Sequence, residues 1–323
     1  MSVESNITNR QDADALIPEE ESREILDQVI ASSFLINEAG NTIQMSRKQT
    51  RLPVIGTVVS GGWVDGDTGV KAKSQNAWRN VFLNAEAHAV IVPVPEDVVE
   101  DMDEGFWERT RPQIAAAFAR ELDKAALFRA GGEAPSSWPE GLAVQAHQRG
   151  AFVPIGSNAA KNGGFAGDVS DAFERLETSG FDPNLALAHT GLRAKARNTR
   201  DADGRQLAEI GATEWYGTSV QYPARGLWNP VTYGSTTFLP RGVVVDTSQL
   251  AFGLRSDISY KILDQATVTI DNQPVNLAER DMVAIRAVGR FAFAVANHFR
   301  YDEPMENVRA FASVLVEQGN PPE

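Results

Sequence analysis

"GGWVDGDTGVKAKSQNAWRNVFLN", residues 61–84, lies between two runs of strand-like sequence, and how it is read decides the fold. Before it, "TRLPVIGTVVSGGWV" from Thr50 is rich in β-branched residues; after it begins, "VFLNAEAHAVIV" from Val81 alternates with a period of two. Val81, Leu83, Ala85, Ala87 and Ala89 fall on one face, and Asn84, Glu86 and His88 on the other. Gly61, Gly62, Asp65, Gly66, Asp67 and Gly69 supply the turn chemistry of a hairpin end. Arms of about 12 residues at roughly 3.3 Å each would project on the order of 40 Å. A lone two-stranded ribbon of this kind is marginal in water, and its open edges invite other chains.

Outward from the ribbon, residues 1 to about 20 are polar and lack an apolar period, which predicts an extended arm. "PEEESREILDQVIASS" then places Ile25, Leu26, Val29 and Ile30 at helical spacing behind Pro18 and an acidic first turn, a short helix of about three turns. On the other side, "VPEDVVEDMDEGFWERTRPQIAAAFARELDKAALFRAGG" is the clearest helix. Ile114, Phe118 and Leu122 recur at i+4, acidic residues crowd its start, and Gly131 and Gly132 stop it. Pro112 either kinks it or marks its true first turn.

The middle third mixes short elements. "DVSDAFERLETSG" reads as a helix capped by Asp168 and ended by Gly180, "NLALAH" as a buried strand, "TGLRAKARN" as a basic helix opened by Thr190, and "RDADGR" as a turn. Several strand candidates follow between Ala212 and Leu250. "YKILDQATVTI", "DMVAIRAVGRFAFAVANHF" and "RAFASVLVE" read as strands, the second with a bend at Gly289 as an alternative.

The chain has 323 residues, 42% hydrophobic and 23% charged, an ordinary globular composition long enough for one large domain or two smaller ones. No apolar run approaches the roughly 20 residues of a membrane helix, and the polar N-terminus lacks the apolar core of a secretory signal. A protein kept inside the cell that makes it, without membrane contact, is the expectation. The absence of Cys excludes disulfide staples, thiolate metal sites and a Cys nucleophile together. A net charge of −13 argues against a groove-reading nucleic-acid binder, which needs a basic face. It does not argue against a container that must enclose a polyanion without gripping it.

Chemistry is hard to find. His88, His147, His189 and His298 show no metal-ligand spacing, and each reads as a structural histidine. In "GDTGVKAKS" the glycines stand too close for a phosphate loop, and Val70 separates Gly69 from Lys71. In "RDADGR" Gly204 comes too early for a calcium loop, and the twelfth position from Asp201 is Ala212 rather than Glu. Neither G-x-S-x-G nor G-x-G-x-x-G occurs. No enzyme is expected, and no catalytic, cofactor-binding or metal-binding residue. The arm, the ribbon and the long helix are each costly for a monomer and become sensible if the partner surface is another copy of the chain.

The order of these elements resembles the tailed-bacteriophage major capsid proteins, the Hong-Kong-97-type family, from about Leu16 to Leu315. The resemblance rests on "LIPEEESREIL", "RLPVIG", "WVDGDTGVKAKSQNAWRNVFLNAEAHAVIVPVPEDVVED" and "IAAAFARELDKAALFRAG". Downstream it continues in "HTGLRAKARNTRDADGRQL", "YGTSVQY", "VVVDTSQLAFGLRSDISY" and "HFRYDEPMENVRAFASVL".

The resemblance implies an α+β architecture: an N-terminal arm at 1–45, an E-loop hairpin at 46–92 laid across the adjacent subunit, a P-domain at 93–133 and 260–303 with a spine helix over Asp103–Arg129, and an A-domain at 134–259 and 304–323. It implies pentamers and hexamers of an icosahedral shell around double-stranded DNA, packaged without sequence readout. Portal, scaffolding and decoration proteins are the implied partners, with assembly in the host cytoplasm and residence in the virion. Lys71 and Lys73 become candidates to meet Glu100, Asp101, Asp103 or Glu104 of the next subunit, with solvated lysines as the alternative; Trp63 and Trp78 become candidate apolar anchors.

The family's type member joins an E-loop Lys to a P-domain Asn with help from a buried Glu. The matching stretch here, "RDMVAIRAVGR" from Arg280, has neither, and Asn276 and Glu279 just before it are poor substitutes, so no cross-link is expected. The arm before "LIPEEES" is short, so scaffolding is a separate protein, is unnecessary, or the sequence is that of a matured chain. An encapsulin-type compartment enclosing an enzyme is the alternative within the same fold; an enzyme of unfamiliar β-rich fold lacks any supporting motif.

Overall fold

The computed structural model describes residues 28–38, 41–57, 62–64, 77–97, 106–133, 135–159, 162–200, 204–205, 207, 210–223, 226–255, 258–270, 273–296, 310 and 312–317. In chain order the first strands are β1 (Asn41–Gln44), β2 (Gln49–Thr57), β3 (Ala77–Asn84) and β4 (Glu86–Pro95). Helix α1 (Phe34–Glu38) precedes them, and the 23-residue α2 (Phe106–Phe128) follows. Next come α3 (Leu142–Gln148), β5 (Phe152–Ile155), α4 (Phe165–Thr178), β6 (Leu185–Ala188) and α5 (Thr190–Arg197). Short strands β7 (Glu214–Trp215), β8 (Thr218–Gln221), β9 (Val231–Tyr233) and β10 (Thr236–Phe238) lead to β11 (Pro240–Val245) and β12 (Leu250–Leu254). The chain ends with β13 (Ser259–Leu263), β14 (Thr267–Ile270), β15 (Gln273–Asn276), β16 (Met282–Val295) and β17 (Ala312–Glu317).

Two sheets carry the structure. In the first, the 14-residue β16 pairs antiparallel with β4 on one side and with β12 and then β13 on the other, and β1 adds parallel to β12. β16 runs through Gly289 as one strand, and its ladder to β4 continues there without a shift in register. The glycine serves close packing, because a Cβ there would meet the Phe291 ring at 2.6 Å.

One face of this sheet presents Ile285, Ala287, Phe291 and Phe293 to the apolar stripe of α2, where Ile114, Phe118 and Leu122 are buried. Pro112 lies inside α2 rather than at its first turn.

The second sheet is ordered β5-β17-β11-β6-β8-β7. Its central strands are buried on both faces: Val243, Val245, Leu185, Leu187 and Val314 join the core beneath α2 and α3, while Val244, Ala186, Ala188 and Leu315 pack with α4 and α5. That double burial explains why "LALA" and "VVV" read as continuous apolar runs rather than alternating ones.

Several local readings need correction. Asp168 does not cap α4, which begins three residues earlier after Gly164. It sits fully buried in the first turn and accepts from the Gly156 N–H (2.6 Å), the Ser157 hydroxyl (2.9 Å) and the Asn158 N–H (2.9 Å), fixing the loop after β5. Helix α5 does open at Thr190, as expected, and its cap is His189, whose Nδ1 accepts the Gly191 N–H at 3.0 Å. The alternation expected through Val92 breaks at Ala85, where the chain leaves one sheet for another. As a result Ala87 and Ala89 are exposed, and the partly buried His88 meets Phe118 edge-on at 5.1 Å.

The helix predicted to end at Ser33 is described over residues 28–32 and is followed by a second, α1. The break has a cause far along the chain. Asp123 of α2, 3% exposed, accepts from the Ser33 hydroxyl (2.6 Å) and from the N–H groups of Phe34 (3.1 Å) and Leu35 (3.3 Å). The Ser33 oxygen in turn accepts the Ile36 N–H at 3.1 Å. A carboxylate 88 residues away from Leu35 thus satisfies donors that a helix start leaves orphaned.

Burial outweighs these hydrogen bonds and raises the Asp123 pKa from 3.8 to about 6. A folded pKa above the unfolded one means that the folded state holds the proton more tightly. The resulting stability is fully present below pH 3.8 and is lost as pH rises through about 6. The difference amounts to about 3 kcal/mol. In free subunits, stability should therefore increase from pH 7 toward pH 5 more steeply in wild type than in Asp123→Asn, as measured by urea unfolding. Superimposable pH profiles would contradict the assignment.

Candidate interface on the projecting ribbon

Strands β2 and β3 form a two-stranded antiparallel ribbon with register from Gln49↔Asn84 to Thr57↔Ala77, irregular only between Ile55 and Thr57. No third strand joins it among the described residues. Alternation divides its side chains into two faces. On the inner face Leu83 (0% exposed), Val54, Leu52 and Val81 turn toward the body. There Leu83 and Ala85 pack with Met45, Ala251, Ala292 and Ala294 on the face of the first sheet opposite α2.

Gly253 makes room for this contact, since Met45 and Ala292 occupy the space a Cβ would need. Polar bonds tie down the same corner. The Trp138 indole N–H donates to the Asn84 carbonyl (3.1 Å), the Asn84 amide to the Ser137 carbonyl (3.3 Å) and the Ser137 hydroxyl to Glu86 (2.6 Å).

The outer face has no such support. Cross-strand neighbours Arg51 and Phe82 are exposed, as are Pro53 and Asn80, and Trp78 continues the row. Trp78 is 60% exposed, Phe82 49%, and Trp63 beyond them is fully so. Three large aromatic side chains in water on one projecting element are a surface built for contact. Pro53 is tolerated because β2 has an open edge where a missing N–H breaks no ladder.

Of the residues singled out from the sequence, Trp78 is thus on the ribbon's outer face, and Trp63, fully exposed, lies past the end of β2. Lys71, Lys73, Glu100, Asp101, Asp103 and Glu104 lie outside the described residues. The sequence reading passed over Phe82, although a large aromatic on the polar side of an alternating strand was the available signal.

The described histidines pack against aromatic rings or cap a helix. His147 is stacked between Phe152 (5.0 Å) and Phe238 (4.7 Å), and His189 caps a helix. Burial lowers the pKa of His88, opposed by Glu121; burial and Arg241 lower that of His189, opposed by Glu317. Among the described residues no group of three or more His, Asp or Glu is placed to hold a metal ion, and no helix is long and apolar enough to cross a membrane.

With this geometry in hand, the chain is similar to proteins of one kind. The sequence model of the phage capsid family matches residues 13–299. The major capsid protein of Staphylococcus phage 80alpha is 25% identical over 301 residues, which cover 90% of this chain and 85% of that one. A solved chain from Mycobacterium phage Adephagia aligns over 98% of this chain and 100% of its own, with TM-score 0.70 and 29% identity. One from Microbacterium phage Oxtober96 covers 96% and 99%, with TM-score 0.69 and 30% identity.

Neighbouring residues on β3 should respond differently to truncation. In the free chain Leu83→Ala is expected to lose about 2–5 kcal/mol of stability through an unfilled cavity. Phe82→Ala should lose less than about 1 kcal/mol. Urea titrations measure both; equal losses would contradict the two-faced ribbon.

Proposed function

The chain belongs to the phage capsid family and is a phage major capsid protein, a structural component of the virion; from that premise we propose that its copies assemble into pentamers and hexamers, and these into an icosahedral shell around double-stranded DNA. The observation that carries the assembly reading is the exposed aromatic surface of this region, where Trp78 and Phe82 on the ribbon's outer face and Trp63 past the end of β2 stand in water with nothing among the described residues to cover them. A second copy supplies the cover. The E-loop, 46–92, holds the ribbon and runs into β4, and the N-terminal arm is 1–45. The P-domain is 93–133 with 260–303, and the A-domain is 134–259 with 304–323. The pairing of β12 with β16 supports counting Leu250–Leu254 with the P-domain sheet.

Shell growth needs contacts that are strong in sum and weak singly, so that a misplaced subunit can leave; interfaces of about 1,600 Å² or less per contact meet that demand. An acidic subunit, with a net charge of −13, encloses DNA without binding it tightly. Assembly takes place in the host cytoplasm with a portal, and scaffolding is either a separate protein or unnecessary. Lys71 and Lys73 pair with acids of the neighbouring spine region, Glu100, Asp101, Asp103 or Glu104.

Negative-stain microscopy of the purified protein should show uniform shells, and small particles at every concentration and salt would refute the reading. Reversal of both lysines, Lys71→Glu with Lys73→Glu, should reduce shell yield; normal shells would remove the lysine pairing and leave the rest. On a denaturing gel, boiled shells should run as a single band near the 35.1 kDa of one chain, and a ladder would show covalent linkage.

A further inference from the structure

On the α2 side of the first sheet, away from the face that carries the ribbon, lies a cavity of about 410 Å³ between α2, the start of β4 and the segments 133–138 and 227–231. Its floor is apolar and buried, formed by Leu122, Phe128, Trp138, Leu227 and Val231. Its polar lining is acidic, with Glu86, Glu121 and Glu133. A concave site of this size, mostly apolar with a few convergent charged groups, has the make-up of a small-molecule pocket.

The chain lays these groups out in order, because β4 and α2 pass along the cavity in opposite directions. His88 meets Phe118 edge-on at 5.1 Å, whereas Glu86 accepts the hydroxyl of Ser137, beyond the end of α2, at 2.6 Å. Glu121 therefore shares one end of the cavity with His88, and Glu133 shares the other with Glu86. From Glu121 to Phe128, the last residue of α2, the helix axis advances about 10 Å. The cavity is a trough, acidic at both ends and apolar between them.

The chain does not neutralise these carboxylates itself. Among the described residues neither Glu86 nor Glu133 forms an ion pair, and Glu121 has only the exposed Arg120 beside it at 3.7 Å. Arg129 is committed elsewhere, donating to the carbonyls of Glu133 (3.1 Å), Ser136 (3.4 Å) and Pro139 (3.0 Å), and Lys124 is exposed. His88 adds an unmet polar group, because its Nδ1 is buried without a hydrogen-bond partner. Burial lowers its pKa against the pull of Glu121, so the ring is neutral at neutral pH and can accept a hydrogen bond.

We infer that this trough is a binding site for a linear aliphatic polyamine, with one terminal ammonium at Glu121 and His88, the other at Glu133 and Glu86, and the methylenes over the apolar floor. Carboxylates and a neutral imidazole accept from ammonium groups, aromatic walls attract the cation, and the floor takes the methylenes out of water. A bare metal ion would leave that floor unused, and a neutral or anionic ligand would leave the acids unmatched. The site is built within one chain, so it goes beyond the shell reading and does not rest on it.

The test is calorimetric titration of spermidine into free full-length subunits, with circular dichroism as the folding control. Saturable binding at a single site per chain is expected. Glu121→Gln and Glu133→Gln should each weaken it at least about tenfold. The double variant Glu214→Gln with Glu279→Gln, exposed acids that do not line the cavity, should leave the affinity within about twofold of wild type. Equal weakening by both sets would mean diffuse attraction to an acidic chain and overturns the site. Neutral hexanediol should not compete, and competition by it at equal concentration overturns the charged recognition. Ala125→Phe, which fills the trough, should abolish binding in a folded chain. Folded wild-type chains that do not bind spermidine overturn the proposal, and shell yield lowered by Ala125→Phe would then assign the cavity to a second copy.

Discussion

Leu83 and Phe82 are consecutive residues of one strand with opposite surroundings, one fully buried against Met45 and Ala292 and the other half in water. A two-stranded ribbon can bury only the face that its own body offers, and the body ends at the ribbon's base. Everything beyond must find apolar surroundings elsewhere or remain marginal. The fold accepts that constraint and makes the base firm. Met45 fills the space above Gly253, Trp138 and Ser137 bond to the corner at Asn84 and Glu86, and the chain turns at Ala85 from ribbon into sheet.

The firmness of the base derives from β16. Its odd-numbered residues, Ile285 to Phe293, enter the core under α2, while Ala292 and Ala294 carry the ribbon. The same strand therefore couples the long helix to the ribbon through a backbone that cannot slip by one residue without exchanging its faces. Asp123 adds a second long-range tie, from α2 to Ser33, Phe34 and Leu35 at the start of α1.

Much of this was legible in the sequence because it follows from period. The ribbon strands, the i+4 stripe of α2 and the buried "LALA" strand are local patterns with local meaning, and the order of phrases pointed to the family. What escaped depended on tertiary partners. Asp168 reads as a helix cap, and Asp123 carries no local signal, until the loops and helix ends that donate to them are brought near. The reversal of faces at Ala85 is invisible to a two-residue period that runs through it. His189 was the cap of α5 because a ring nitrogen happened to reach the Gly191 N–H, which no spacing rule records. The aromatic surface was half seen: the tryptophans stood out by type, whereas Phe82, which alternation alone puts on the side of Asn84, was passed over.

The central claim is that the outer face of the ribbon is covered by another copy of the chain. Hydroxyl-radical footprinting of Trp63, Trp78 and Phe82, compared between free subunits and assembled particles, tests it at the side chains themselves. The account predicts strong protection of all three on assembly, with buried Leu83 unreactive in both states. Equal reactivity of the three aromatics in free and assembled protein would contradict it.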